Sequence, residues 1–175
     1  MPLVVFLRAV NVGGHQTFRP SVLAKEMVKF DVVSIGAAGT LVVRGKIGQT
    51  MLRAELEKRL SFKTDLIICP SREILDLVKR DPFGDAPPET KDLRHYVTIL
   101  TKAPKTIPPL PLERPENKKW EVTLLEVSGH FALTIWRRQT NGILYPNAVV
   151  EKLSGIPCTT RNWNTISNIV NILEK

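Results

Sequence analysis

The chain has 175 residues, 43% of them hydrophobic, which is enough to bury the core of one domain or of two small ones. It contains no run of 18 or more apolar residues, and its first apolar run, residues 3–7, follows no basic segment, so we expect a cytoplasmic protein without a membrane span or a signal peptide. The net charge of +8 is spread evenly, with 13 basic against 9 acidic residues up to position 87 and 12 against 8 after it, which disfavours a dedicated polyanion-binding tail.

The pattern of apolar residues in the first half predicts alternating strands and helices. Leu52, Leu56 and Leu60 recur at helical spacing, and Pro20 suits the first position of a helix because its fixed φ angle matches helical backbone. The predicted strands cover 3–7, 31–35, 40–44 and 64–69, and the predicted helices cover 20–31 and 49–60. The order is therefore βαββαβ, the ferredoxin-like or alpha-beta plait, in which two helices cover one face of a four-stranded antiparallel sheet.

A further helix and a proline-rich segment follow the fourth strand. Ser71 is suited to capping a helix over 72–80, and Asp81-Pro82 ends that helix because proline disfavours helical backbone in the residue before it. Residues 81–92 are rich in Pro, Gly and acidic residues, a composition typical of domain boundaries. We therefore predict an N-terminal ferredoxin-like subdomain over 1–85 and a C-terminal α+β subdomain over 86–175.

The second half predicts another set of strands and helices. The predicted strands are 94–101, 120–127 and 130–137, and the predicted helices are 147–154 and 163–173. A proline-rich surface loop is predicted over 103–116. The whole pattern predicts an α+β fold of two packed ferredoxin-like subdomains with antiparallel sheets.

The stretch TTRNWNT, residues 159–165, lies where the last helix is predicted to begin. Thr160 or Asn162 is suited to capping its first turn, so the stretch has a purely structural explanation. A cap needs only one such residue, and the backbone N–H groups and dipole at a helix start also favour an anion. An anion site is therefore the alternative, since the forked donors of arginine suit carboxylate or phosphate. Beyond the possible caps, the polar residues of the stretch that could bind the anion are Arg161, Asn164 and Thr165.

The second candidate stretch is RAVNVGGH, residues 8–15, directly after the first predicted strand. Gly13 and Gly14 allow positive φ angles and a close approach of backbone N–H groups to a partner, as in phosphate-cradling loops. The stretch lacks the glycine and lysine spacing of a nucleotide triphosphatase loop, which excludes that activity. A tight turn explains the glycines without a ligand, and His15 is either a general base near neutral pH or an ordinary surface histidine.

Together, RAVNVGG near the N-terminus and TTRNWNT near the C-terminus resemble the motifs of the domain-of-unknown-function family 1697, a set of small, mostly bacterial proteins. The resemblance spans nearly the whole chain. It implies two ferredoxin-like subdomains packed together and an activity that is uncharacterised. The residues of this chain that fill the two motifs are Arg8, Asn11, Gly13, Gly14, Thr160, Arg161, Asn162, Trp163, Asn164 and Thr165.

One turn departs from the pattern of that family. The family usually has Ser-Gly-Asn between its second and third strands, whereas this chain has Ala38-Gly39-Thr40. If that serine and asparagine bind a ligand in relatives, this chain has lost two polar contacts, and a different ligand, or none, is expected. Our hypothesis is a cleft between the subdomains in which Arg161 and the Gly13–Gly14 amides bind an anionic small molecule or a phosphate group. The predicted ligand-binding residues are Arg8, Asn11, Gly13, Gly14, His15, Thr160, Arg161, Asn162, Asn164 and Thr165.

The sequence contains no recognisable catalytic constellation, so whether the protein is an enzyme stays open. Acidic residues are scattered, and His15, His95 and His130 do not have metal-ligand spacing, so no cofactor and no metal are predicted. Cys69 and Cys158 are expected to be reduced, buried thiols. The alternative for Cys158 is a thiol of low pKa at a helix N-terminus.

Two alternatives without catalysis remain. The first is RNA binding, because a ferredoxin-like sheet also carries the RNA-recognition motif, which stacks bases on exposed aromatic side chains. The second is a regulatory or protein-interaction module whose contact surfaces are sheet edges and the proline-rich loop. Either leaves the oligomeric state open. The aromatic residues available for RNA, for which a core position is the competing explanation, are Tyr96, Trp120, Phe131 and Trp136, near Arg137 and Arg138.

Overall fold

In a computed structural model of the chain, residues 1–10 and 18–175 are described, and they form two compact units. The first unit contains residues 1–80 and 164–175, and the second contains residues 81–163. The described residues form antiparallel sheets of four and five strands and five α-helices. The predicted mixture of helices with antiparallel sheets is thereby confirmed.

Within residues 1–80 the first unit contains the predicted strands and helices with small shifts at their ends, except that the helix predicted over 20–31 is an α-helix followed by a short 3₁₀ helix. Its sheet has the strand order β2-β3-β1-β4, and each neighbouring pair is antiparallel. The last helix, α5, belongs to this unit from Asn164 onward. Its elements are β1 (Leu3–Leu7), α1 (Pro20–Glu26), a 3₁₀ helix (Val28–Phe30), β2 (Val32–Ile35), β3 (Thr40–Val43), α2 (Gln49–Arg59), β4 (Leu66–Pro70), α3 (Ser71–Lys79) and α5 (Trp163–Leu173).

Strand β1 lies at the centre of the first sheet, and all five of its residues are buried. Its alternate residues Leu3, Val5 and Leu7 share one core cluster with residues of α1 and α2. Leu52 and Leu56 of α2 are fully buried in that cluster, which explains their helical spacing in the sequence. Both helices therefore pack against the same face of the sheet.

The second unit is built on a five-stranded sheet with the order β6-β7-β8-β5-β9. Helix α4 packs on one face of this sheet through Val150, which shares a core cluster with Leu100, Leu124 and Cys158. The elements of the unit are β5 (Leu93–Leu100), β6 (Leu112–Arg114), β7 (Val122–Ser128), β8 (Phe131–Arg137), α4 (Pro146–Ser154) and β9 (Cys158–Asn162).

Two edge strands correct the sequence-based predictions. Residues 112–114, predicted as part of a loop, form β6 because they pair with the start of β7. Residues 158–162, predicted as the approach to a helix, form β9 because all five pair with residues 96–100 of β5. Both strands are short and polar, as edge strands often are, and this polarity hides the apolar alternation by which strands are recognised.

None of the helices in the described part of the chain combines the length and the apolar composition needed to cross a bilayer.

Candidate functional site

Arg161 lies on the edge strand β9, where its side chain is held by the residues next to it. Alternate residues of a strand point to the same face, so Thr159 and Arg161 share one face of the sheet. The Nη1 atom of Arg161 donates to the Thr159 hydroxyl oxygen at 2.7 Å and to the Thr160 carbonyl oxygen at 3.0 Å. The strand thus fixes the guanidinium group through its own backbone and a neighbouring hydroxyl.

The guanidinium of Arg161 is buried, with 5% of the residue exposed. Burial lowers the pKa of Arg161 from 12.5 to about 10, because water no longer solvates the charged form. The side chain therefore keeps its positive charge at neutral pH. Two of the oxygens that accept its hydrogen bonds, the Thr159 hydroxyl and the Thr160 carbonyl, are neutral and help to orient the guanidinium.

Thr160 points to the opposite face from Arg161 and has a structural partner there. Its hydroxyl lies 2.7 Å from the hydroxyl of Thr98, a fully buried residue of β5. Because Thr160 is paired within the sheet three residues before α5 begins, it is not the cap of that helix, which corrects one of the two predicted caps. Asn162 is exposed, lies opposite Tyr96, and directly precedes α5.

The start of α5 agrees with the predicted helix over 163–173. Asn164 is exposed and Thr165 is half-buried in its first turn. The indole of Trp163 contacts the ring of Phe83 edge-on, with centroids 5.1 Å apart, and Phe83 stacks on His95 at 4.5 Å. Packing therefore accounts for the tryptophan of TTRNWNT, while the motif's arginine and asparagines need a separate explanation.

Of the first motif, the structure describes residues 8–10. Arg8 follows β1 and forms an ion pair with Asp65, with 3.5 Å between Nη1 and the carboxylate. The Thr64 hydroxyl donates to the Arg8 carbonyl, and Ala9 has a positive φ of 54°, an unusual conformation for a residue with a side chain. The predicted ligand-binding residues Asn11, Gly13, Gly14 and His15 lie outside the described residues.

The turn that departs from the family pattern, Ala38-Gly39-Thr40, needs glycine at its middle position. Gly39 has a φ of +81°, and a Cβ atom there would lie 2.8 Å from the Cβ of Leu7. The Gly39 carbonyl accepts a hydrogen bond from the Leu7 N–H at 2.8 Å, so the turn is attached to the end of β1. Thr40 is fully buried opposite Phe6, which gives its side chain a packing role.

Both cysteines are free and buried, as predicted. Cys158 is the first residue of β9 rather than of a helix, and its thiol donates to the carbonyl oxygen of Asn147, in the first turn of α4, at 3.4 Å. Burial, and then the negative charge of Glu73, raise the pKa of Cys69 from 9.0 to about 12. Cys69 is therefore a neutral thiol over the physiological pH range.

Sequence reasoning missed two residues next to the candidate groups. Thr159 was treated as part of a helix approach, but the two-residue period of a strand would have placed it beside Arg161. Tyr145 is 59% exposed and stacks on Trp136 with parallel rings. Its signal was the Tyr-Pro pair at a helix start, since Pro146 at the first helical position leaves the preceding side chain outside the helix.

Comparison with known proteins agrees with the two-sheet architecture. The structure of the conserved bacterial protein SP0830 from Streptococcus pneumoniae is similar to this one with a TM-score of 0.58 and 14% sequence identity, over 99% of this chain and 98% of that one. This likeness concerns the fold. No curated protein sequence matches the chain at a significant level.

The sequence profile of a family described as "Protein of unknown function (DUF1697)" matches residues 1–127. The matched region includes the RAVNVGG motif and ends before TTRNWNT. Because the match covers well over half of the chain, the protein belongs to the DUF1697 family.

Proposed function

We propose that the protein binds an anionic small molecule or a phosphate-bearing ligand and that Arg161 recognises its negative charge. The observation that carries the proposal is a buried, charged guanidinium held in place by a hydroxyl and a carbonyl of its own strand. Thr160 and Asn162 flank Arg161 on β9. Asn162 is exposed and is suited to orienting the ligand by hydrogen bonds.

The energetics of burial support an anionic ligand. A depression of the pKa of Arg161 from 12.5 to about 10 corresponds to a desolvation cost on the order of 3 kcal/mol for the charged form. A carboxylate or phosphate contributes hydrogen bonds to a charged donor, each worth about 1.5–3 kcal/mol, and adds the opposite charge. An anion hydrogen-bonded to the guanidinium would therefore offset part of this desolvation cost.

The small exposed fraction of Arg161 restricts the ligand's shape. A residue with 5% of its surface exposed is reached by a small anion or by the terminal carboxylate or phosphate of a larger molecule, rather than by an extended polyanion. We also propose, on sequence grounds alone, that Arg8, Asn11, Gly13, Gly14 and His15 of the first motif and Asn164 and Thr165 of α5 are anion-binding residues.

The test is a thermal-shift titration with phosphate, sulfate, nucleotides and acidic metabolites on three proteins: the wild type, Arg161→Gln and Arg137→Gln. Arg137 is the matched control because its side chain is also fixed by a backbone carbonyl of the second unit, with Nε 3.0 Å from the Trp120 oxygen. A ligand at about a hundred times its Kd stabilises the native state by about 2.7 kcal/mol, which raises Tm measurably. We expect a ligand that raises the Tm of the wild type and of Arg137→Gln but not of Arg161→Gln.

Two results would contradict the proposal. One is a ligand-induced shift that Arg161→Gln retains in full, which would place the anion elsewhere. The other is a wild type that responds to none of these anions while Arg161→Gln alone lowers Tm, which would assign Arg161 to stability. Circular dichroism of each variant verifies that the folded state is compared.

For the architecture, we infer that both units follow the ferredoxin-like plan, with domains divided near the predicted boundary at residue 85. The support is the strand order: β2-β3-β1-β4 in the first unit, and β7-β8-β5-β9 with β6 added outside in the second. We also propose that the protein is bacterial and that it resides in the cytoplasm. Its support is the bacterial source of the similar structure and the two free, buried cysteines.

A further inference from the structure

The second unit carries an aromatic surface at one end of its sheet. Trp136 and Tyr145 stack with parallel rings, 6.0 Å between centroids and 4° between planes. Arg94 lies opposite Trp136 on the neighbouring strand, and Tyr96 is two residues further along the same face. Tyr145 is 59% exposed, so one face of the stack is open to solvent. We call Arg94, Tyr96, Trp136 and Tyr145 the aromatic platform.

Hydrogen bonds hold the Trp136 ring and the backbone just before Tyr145 in place. The indole Nε1 of Trp136 donates to the Leu144 carbonyl oxygen at 3.1 Å, and the Leu144 N–H donates to the carboxylate of the buried Glu121 at 3.1 Å. Tyr145 follows directly and precedes Pro146, which is buried at the start of α4. A ring that is fixed in this way loses little conformational entropy when another planar group stacks on it.

The same end of the sheet is rich in cations. Leu93 at the start of β5 pairs with Arg137, and Val122 at the start of β7 pairs with Trp136, so these strand ends lie side by side. The basic residues at these ends are Lys91, Arg94, Lys118, Lys119, Arg137 and Arg138. The acidic residues there are Glu89, Asp92 and Glu121. Glu89 accepts a hydrogen bond from the backbone N–H of His95, and Glu121 accepts one from the backbone N–H of Leu144. The surroundings of the platform are therefore predominantly positive.

From this arrangement we propose that the aromatic platform binds single-stranded RNA, with a base stacked on Tyr145 and phosphates attracted by Arg94 and Arg138. Rigid aromatic faces flanked by cations bind unpaired bases of any sequence, since every base has a planar face and every nucleotide has a charge. The Trp120 ring is covered by the Arg137 guanidinium, 3.9 Å from its centroid, so it is not a stacking site.

Tyr96 is the residue from which we infer that the bound nucleotide carries ribose rather than deoxyribose. Its side chain is a half-buried member of the platform, and burial raises its pKa, while the charges of Arg94, Glu89 and Tyr145 also act on it. Its hydroxyl thus stays protonated at neutral pH and can both donate and accept a hydrogen bond, two residues along the strand from Arg94 on the same face as Trp136. The ribose 2′-hydroxyl is the group that such a hydroxyl recognises and that DNA lacks.

The experiment measures the fluorescence anisotropy of a labelled oligouridine of about 12 nucleotides, against the matching DNA and a duplex RNA of the same length. We expect Tyr145→Ala to weaken RNA binding by about fivefold or more and Tyr145→Phe to leave it unchanged, because the stack needs the ring alone. Ile143→Ala is the matched control, since Ile143 is 83% exposed two residues away but outside the platform. Arg138→Gln should flatten the dependence of log Kd on log salt by about 0.7.

Tyr96→Phe distinguishes the two sugars. We expect RNA to bind more tightly than DNA, and this variant to lower the RNA affinity to that of DNA. Equal affinities of the wild type for RNA and DNA would overturn the assignment to RNA. Absence of oligouridine binding, tighter binding of the duplex, or equal losses in Tyr145→Ala and Ile143→Ala would overturn the platform itself. Each variant is compared at the same Tm-verified folded fraction, and Tyr145 is exposed enough for its replacement to leave folding intact.

Discussion

The buried thiol of Cys69 predicts that the protein loses stability at alkaline pH. Cys69 is 1% exposed, and its thiol faces the Val4 carbonyl oxygen at 3.8 Å. Burial and the charge of Glu73 raise its pKa from 9.0 to about 12. The unfolded chain, which exposes this thiol to water, loses the proton near pH 9, whereas the folded chain keeps it. Ionisation therefore favours unfolding, and the contribution of Cys69 to stability is complete below pH 9 and is lost progressively between pH 9 and 12.

The size of this loss follows from the two pKa values. At about pH 10 the unfolded thiol is roughly ten times more often ionised than protonated, which stabilises the unfolded state by about 1.4 kcal/mol. The folded thiol, with a pKa of about 12, is still almost entirely protonated there. At about pH 8 the same term is below roughly 0.1 kcal/mol, so nearly all of the loss present at about pH 10 arises between these two conditions.

The assay is urea unfolding under reducing conditions at about pH 8 and about pH 10. Cys158→Ala is compared with the double variant Cys69→Ala/Cys158→Ala, so that the two proteins differ only at Cys69. We expect the free energy of unfolding to fall between the two pH values by about 1.4 kcal/mol more in the single variant than in the double one. Identical pH dependence in the two proteins would refute the reasoning, because other titrating groups are common to both.

Two predictions concern packing and hydrogen bonding. Gly45→Ala places a Cβ 2.5 Å from the Phe30 carbonyl oxygen, a backbone atom that cannot rotate away, so urea denaturation should show a loss of about 1–3 kcal/mol. Gly48→Ala meets no heavy atom within 4 Å and should cost less than about 1 kcal/mol; equal losses at the two glycines would contradict the steric argument. Thr98→Val removes the hydroxyl that lies 2.7 Å from that of Thr160 and should cost about 1–3 kcal/mol. In the Thr98→Val background, Thr160→Val should cost less stability than it does in the wild type. If the two losses simply add in the double variant, the hydroxyls do not form a direct bond.

The first sheet was predictable because its signals are local. LVVFL is a continuous apolar run, and it forms the central strand β1. The leucines of α2 repeat at helical spacing because they face one sheet. Turn residues, and Pro20 at the start of α1, then delimit these elements at nearly the correct positions.

The edge strands were not predictable by the same signals. Cys158–Asn162 is a strand because the edge of β5 is available for pairing. The residue types within the segment do not by themselves indicate that pairing. The stretch TTRNWNT is therefore recognisable as unusual, but the sequence does not predict the strand that its residues up to Asn162 form. The helix from Trp163 onward was assigned correctly because Ile166 and Ile169, both fully buried, repeat at helical spacing.

The candidate site was predictable in part for a related reason. Arg161 stands out by residue type, but its burial and its bond to Thr159 depend on which face of β9 it occupies. The aromatic platform brings Tyr145 onto Trp136 through a loop whose geometry depends on the buried Glu121. Contacts of this kind, made by loops and cross-strand neighbours, are set by the tertiary structure rather than by periodicity.

The division of the chain has a consequence for its synthesis. The second unit is one continuous segment, residues 81–163, whereas the first unit is interrupted by it and resumes only at residue 164. A ribosome therefore releases all of the second unit before it releases the residues from Asn164 onward that the first unit still lacks. The unit that is translated first is thus the one that is completed last. Until then, residues 1–80 of the nascent chain must remain able to pack with the last helix.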